Sequence, residues 1–145
     1  MASNRFLGFD HIDTRVSSLK AVEAFYDRLM PELGLPAKRM AHVDERGDWD
    51  DPSDAKPYNA VEYYEPKESG KVGFFIGVIE DKTMKPTLTR IAFRVTQSEL
   101  ERWHSFLSSI GAVNIQCSAS AEYPAIFFED PANTKLEIVA RHPNP

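Results

Sequence analysis

His11-Ile12-Asp13-Thr14-Arg15-Val16-Ser17 and Arg90-Ile91-Ala92-Phe93-Arg94-Val95-Thr96 are two versions of one segment. Ile12 matches Ile91, Arg15 matches Arg94, Val16 matches Val95, and Ser17 pairs with Thr96. Both alternate as strands do, because successive side chains of a strand point to opposite faces. A stretch with helical spacing follows each and closes at a glycine, Gly34 or Gly111. Similarity at a distance of about eighty residues means a duplicated half-domain, not a short solenoid unit.

In the first half, Leu19, Val22, Phe25, Tyr26, Leu29 and Leu33 recur at helical spacing behind an N-cap at Ser17 or Ser18. Pro31 is expected to break the last turn, since it lacks a backbone donor and clashes with the turn before it. Strands are expected over 37–43, 58–64 and 72–79. The stretch 44–57, rich in Asp, Pro, Gly and Ser, is expected to be a mobile loop bordering a groove. The second half repeats the order. A strand over 89–95 leads to a capping box, with Thr96 as N-cap and Glu99 reaching back. Leu100, Trp103, Leu107 and Ile110 form the buried stripe of a helix. Strands over 113–118, 125–129 and 136–141 complete it, with Asp130-Pro131-Ala132-Asn133 as the turn before the last. The fold class is therefore α+β. A single domain over 1–145 is built from half-repeats 7–80 and 88–142, each β-α-β-β-β, forming a curved sheet around a groove.

The 145 residues, 42% apolar and 27% charged, suit one soluble domain with a real core. A net charge of −5 argues against a nucleic-acid partner. Cys117 is the single cysteine, which excludes an intrachain disulfide and a cysteine zinc site, and its neighbourhood predicts a buried small residue. The start has no signal-peptide core, and no apolar run nears the ~18 residues of a membrane span, so a cytoplasmic protein without a membrane partner is expected.

Three segments carry a family likeness: Phe9-Asp10-His11-Ile12 with Ala24-Phe25-Tyr26 and Leu33-Gly34-Leu35; Ile91-Ala92-Phe93-Arg94-Val95; and Phe128-Glu129-Asp130-Pro131 with Lys135-Leu136-Glu137-Ile138. The pattern resembles the vicinal oxygen chelate superfamily, which includes glyoxalase I, extradiol dioxygenases and bleomycin-resistance proteins. In its metal-dependent members the first strand of each half gives a histidine and the last strand a glutamate. Some add a glutamate from the fourth strand of the first half, where this chain has no carboxylate in the strand interior. The resemblance implies a divalent metal (Zn, Fe, Mn or Ni) on His11 and Glu137. The second histidine position falls on Arg90, which cannot ligate because its guanidinium stays protonated. The resemblance also implies a homodimer.

Strand phase places His11, Arg90 and Glu137 on faces opposite the apolar residues beside them. Asp13 shares the face of His11 and is a spare ligand or a substrate contact. His42 is a further candidate, and Trp49 is either a lid anchor over the groove or a poorly ordered residue. His11 also reads as a structural histidine, and Arg90–Glu137 as a plain groove ion pair. Phe74, Phe75, Phe127, Phe128 and Tyr123 are expected mainly in the core, His104 on the surface and His142 in the tail. Two function classes follow. One is a lyase- or dioxygenase-like enzyme, with a metal as Lewis acid and Glu137 as ligand or catalytic base. The other is a metal-free protein that sequesters a small anionic or aromatic ligand through Arg90, Asp13 and Trp49. A metal-free acid–base enzyme using Glu137 lies between them.

Overall fold

A computed structural model describes residues 5–141. His142 lies outside the described residues. The chain has nine strands and two helices among them: β1 (His11–Val16), α1 (Leu19–Glu32), β2 (Ala37–Val43), β3 (Trp49–Asp50), β4 (Ala60–Tyr64), β5 (Phe75–Glu80), β6 (Arg90–Arg94), α2 (Leu100–Ser109), β7 (Val113–Cys117), β8 (Ala125–Glu129) and β9 (Lys135–Val139). The fold is α+β, with β-α-β-β-β twice and β3 added to the first copy.

Contacts divide the chain into two compact units: Met30–Glu80 with the chain up to Arg15, and Val16–Leu29 with the chain from Asp81 onward. The first unit carries a five-stranded sheet in the order β1-β5-β4-β2-β3. The second carries a four-stranded sheet in the order β6-β9-β8-β7. Strand for strand, β1, β5, β4 and β2 correspond to β6, β9, β8 and β7. The pairing β6–β9 is parallel, while β9–β8, β8–β7, β5–β4 and β4–β2 are antiparallel.

In the second unit Leu19, Val22, Phe25, Tyr26 and Leu29 of α1 are all buried, as their spacing predicts. Ser18 is the N-cap, its hydroxyl accepting the Ala21 N–H at 3.2 Å. Phe25 approaches Phe128, with ring centroids 6.5 Å apart. The Tyr26 hydroxyl donates to Asp130 Oδ2 at 2.6 Å. Asp130 is fully buried, and its Oδ1 accepts the N–H groups of Ala132 and Thr134 at 2.8 and 2.9 Å. The Asp-Pro turn is thus a structural lock, with every partner of the buried carboxylate supplied locally or by α1. Trp103 and Leu107 are the buried residues of α2, with Ile110 beyond its end.

Several local expectations need correction. Pro31 does not end α1 before it; the helix continues to Glu32, and Gly34, at φ +84°, makes the exit. Pro31 forfeits its own N–H bond to the carbonyl four residues back, and the helix runs only one residue beyond it. The capping box is absent: Thr96 makes no side-chain cap bond, and Glu99 accepts from Arg102 Nε at 2.6 Å. A 3-10 turn over Gln97–Glu99 precedes α2 and moves Glu99 out of capping register. Cys117 is exposed, because β7 is an edge strand with little packed against it. The stretch 44–57 is no featureless loop. Asp44 Oδ1 accepts the N–H groups of Arg46 and Asp48, and Trp49–Asp50 returns to pair with Val43 and His42 as β3. Val72 to Phe74 precede β5 instead of belonging to it.

Candidate functional site

In the first unit the sheet face carrying His11 is organised in two cross-strand rows. One row is aromatic: Tyr64 of β4 faces Phe75 of β5, their rings stacked at 4.5 Å. His11 stacks on the other side of Phe75, with centroids 4.4 Å apart and planes 4° from parallel. The next row is polar: Arg39 of β2 faces Glu62 of β4, and Glu62 faces Gly77 of β5. A Cβ on Gly77 would collide with Asp13 Oδ1, so the glycine leaves the space that the Asp13 carboxylate occupies.

These rows form one wall of a cavity of about 450 Å³. His11, Asp13, Arg39, Glu62 and Phe75 line it, and β3 with the residue after it adds Trp49, Asp50 and Asp51. Three of the residues singled out from the sequence, His11, Asp13 and Trp49, therefore share one site. His42 does not line this cavity; its Nδ1 lies 2.8 Å from the Pro57 carbonyl.

Charges in the cavity are closely coupled. His11 Nδ1 lies 2.6 Å from Asp10 Oδ2, and its Nε2 lies 3.7 Å from Asp13 Oδ2. The Asp10 hydrogen bond, assisted by the Asp13 charge, holds the imidazole pKa above its ordinary value against the opposing effect of burial. Glu62 is 4% exposed. Its carboxyl is raised above the ordinary range, first by burial, with Arg39 opposing. Arg39 divides itself, reaching Asp51 at 3.2 Å and Glu62 at 3.5 Å.

The second unit holds a separate polar cluster. Glu137 of β9 faces Phe127 of β8 and Ala92 of β6. Arg90, two residues before Ala92, shares its face of β6. Its Nη1 lies 4.0 Å from Glu137 Oε1, and its guanidinium sits 4.9 Å from the Phe127 ring centroid. The Tyr123 hydroxyl donates to Glu137 Oε2 at 2.8 Å. Glu137 is 4% exposed, with Oε2 hydrogen-bonded and Oε1 at ion-pair distance from Arg90. Arg90 and Glu137 meet as the ion-pair reading expects.

Glu62, Arg39 and Tyr123 were not identified from the sequence as site residues. Glu62 leaves a signal, being the single charge in Ala60-Val61-Glu62-Tyr63-Tyr64, a strand buried through its first four residues. Arg39 leaves none, because β2 is exposed over its first four positions. Tyr123 stands outside the core at 38% exposure, so its role appears only with its hydrogen bond.

No protein-family model matches the chain. The metallothiol transferase FosB of Bacillus licheniformis is 25% identical over 142 residues, which cover 95% of this chain and 78% of that protein. The fosfomycin resistance protein FosX of Listeria monocytogenes, complexed with Mn(II) and 1S,2S-dihydroxypropylphosphonic acid, superposes with a TM-score of 0.61 at 18% identity, over 94% of this chain and 92% of that one. A glyoxalase/bleomycin resistance protein from Albidiferax ferrireducens T118 gives a TM-score of 0.61 at 16% identity, over 92% of this chain and 98% of that one. The chain shares the fold of these two structures. Beside Glu137, Arg90 places a fixed positive charge that would repel a metal ion there. Among the described residues no group of three or more His, Cys, Asp or Glu is arranged to hold a metal ion. Among them, too, no helix is long and apolar enough to cross a membrane.

Proposed function

We propose that the protein binds a small anionic or aromatic molecule without a superfamily-type metal, with Arg90 as the anion contact. The observation that supports this reading is the environment of Arg90. Its side chain is 42% exposed, backed by Phe127 and steered by Glu137 at 4.0 Å. A guanidinium carries five donors in a planar fork, so most remain for a carboxylate or phosphonate. The donor set does not fit an ion at this position: Glu137 is engaged by Arg90 and Tyr123, and arginine contributes no lone pair. Binding of phenylphosphonate, followed by calorimetry, tests the reading. It should persist in excess chelator and be lost in Arg90→Met; binding that requires added Mn(II) would contradict it.

A second reading is a metal-assisted enzyme with His11 and Glu137 as ligands and Glu137 or a cavity carboxylate as base. It is favoured by the names of the relatives, a metallothiol transferase and a Mn(II)-bound FosX. Stoichiometric divalent metal in the purified protein would select it. We propose further that the protein is cytoplasmic and a homodimer, as homo-oligomers favour two-fold symmetry; a monomer in light scattering at micromolar concentration would refute the dimer.

A further inference from the structure

The face of the second sheet that carries Arg90 is basic well beyond that one residue. Arg94, four residues along β6, shares the face of Arg90 by strand phase. Arg94 pairs with Val139 of β9, and Arg141 follows two residues later. The β8–β9 ladder runs on past the ends of both strands, with the Ala140 N–H donating to the Pro124 carbonyl at 2.8 Å. In that register Tyr123 stands opposite Arg141, so both extend the face on which Glu137 lies. Lys135, beside Arg90, is tied to Glu129 at 3.2 Å. Four cations thus stand against the carboxylates of Glu129 and Glu137. Arg94 and Arg141 are exposed, and among the described residues neither has a carboxylate partner.

These cations are set in two places instead of one. Arg90 and Arg94 lie roughly 13 Å apart at Cα, at about 3.3 Å per strand residue. Arg90 is held at its end by the Phe127 ring at 4.9 Å and by Glu137 at 4.0 Å. Arg141 belongs to the other end, with Arg94. Tyr123 connects the two: its backbone stands opposite Arg141, while its hydroxyl reaches Glu137 at 2.8 Å. The charges of Arg90 and Arg141 both act on that hydroxyl. A phenol ring, 38% exposed, therefore spans the interval between the two cationic ends. A single carboxylate pairs with the fork of one guanidinium and cannot serve both ends. Two anionic groups joined by an apolar body match the arrangement, with the body lying on the ring.

We infer that this face binds a dicarboxylate, with one carboxylate on Arg90, the other on Arg94 and Arg141, and an apolar spacer over Tyr123. The inference rests on the reading of Arg90 as an anion contact and adds to it the second anionic group and the residues that receive it.

Calorimetric titration with disodium terephthalate and sodium p-toluate tests it, since the two probes share a ring and differ by one carboxylate. Terephthalate should bind at least about tenfold more tightly, as a second charge-assisted contact provides. The double variant Arg94→Gln with Arg141→Gln should bring terephthalate to the affinity of p-toluate. Both side chains are exposed, so the variant should melt as the wild type does. Equal affinity of the two probes for the wild type would overturn the inference, and so would a preference for terephthalate that survives the double variant. Phenylphosphonate separates this failure from that of the underlying reading. If it binds and is lost in Arg90→Met while terephthalate gains nothing over p-toluate, the second anionic group alone is refuted. If no probe binds, the Arg90 reading falls with it.

Discussion

The two sheets place a buried acid in the same cross-strand row but on different strands. In the first, the acid is Glu62 of β4, and its neighbour on β5 is Gly77. In the second, the acid is Glu137 of β9, and its neighbour on β8 is Phe127. β4 corresponds to β8 and β5 to β9, so acid and partner have exchanged places between the copies. The consequences differ. Across Gly77 there is room for the Asp13 carboxylate and an open cavity, whereas across Phe127 there is a ring on which Arg90 rests. Both acids meet a guanidinium and a phenol: Arg39 at 3.5 Å and the Tyr64 hydroxyl for Glu62, Arg90 at 4.0 Å and the Tyr123 hydroxyl for Glu137. The residue opposite the acid, glycine or phenylalanine, decided whether the row opens onto a cavity or is filled by a ring.

Arg90→Met breaks the closed pair and should have the largest effect on stability. Glu137 would stay buried with Tyr123 as its one remaining partner, a loss of about 2 kcal/mol, discounted for the half-exposed arginine. Urea denaturation showing no change would mean the pair contributes nothing. Tyr123→Phe removes a single hydrogen bond to the same carboxylate and should cost about 1 kcal/mol by the same measurement. Glu62→Gln sharpens the contrast because it should act with the opposite sign. Burial raises the folded-state pKa of Glu62, in a setting of Arg39, Tyr64, Asp13 and His11. Its contribution to stability is therefore fully present below the unfolded-state pKa and is lost as pH rises through the folded value. At pH 7 the wild type carries that penalty and Glu62→Gln does not, so the variant should melt higher by a small margin, under about 1 kcal/mol. Below about pH 4, where the free side chain is protonated too, the margin should close. A variant less stable than wild type at pH 7 would show that Arg39 compensates Glu62 fully.

Much of the fold was legible because it rests on periodicity. The α1 stripe from Leu19 to Leu29, the Leu100–Ile110 stripe and the order of the eight main strands all follow from apolar spacing. What was not legible depends on where the chain returns to itself. Trp49 and Asp50 carry no strand pattern, and only their pairing with β2 puts the indole at the cavity. Cys117 looks like a core residue in sequence but lies on an edge strand, and sequence does not say which strand is the edge. At the site, strand phase placed His11 beside Asp13 and Arg90 beside Glu137. It missed Arg39 and Glu62, whose meeting is fixed by the register of β2 on β4.

In the reading proposed above, Arg90 stands beside Glu137 as an internal cation in place of a metal ion. Metal analysis of the purified protein, paired with Mn(II) titration of wild type and Arg90→His, tests it most directly. The wild type should hold far less than one ion per chain. Arg90→His, which adds an imidazole and removes a repelling charge, should bind Mn(II) at least tenfold more tightly. A stoichiometric divalent ion in the wild type, weakened rather than strengthened by Arg90→His, would contradict the claim.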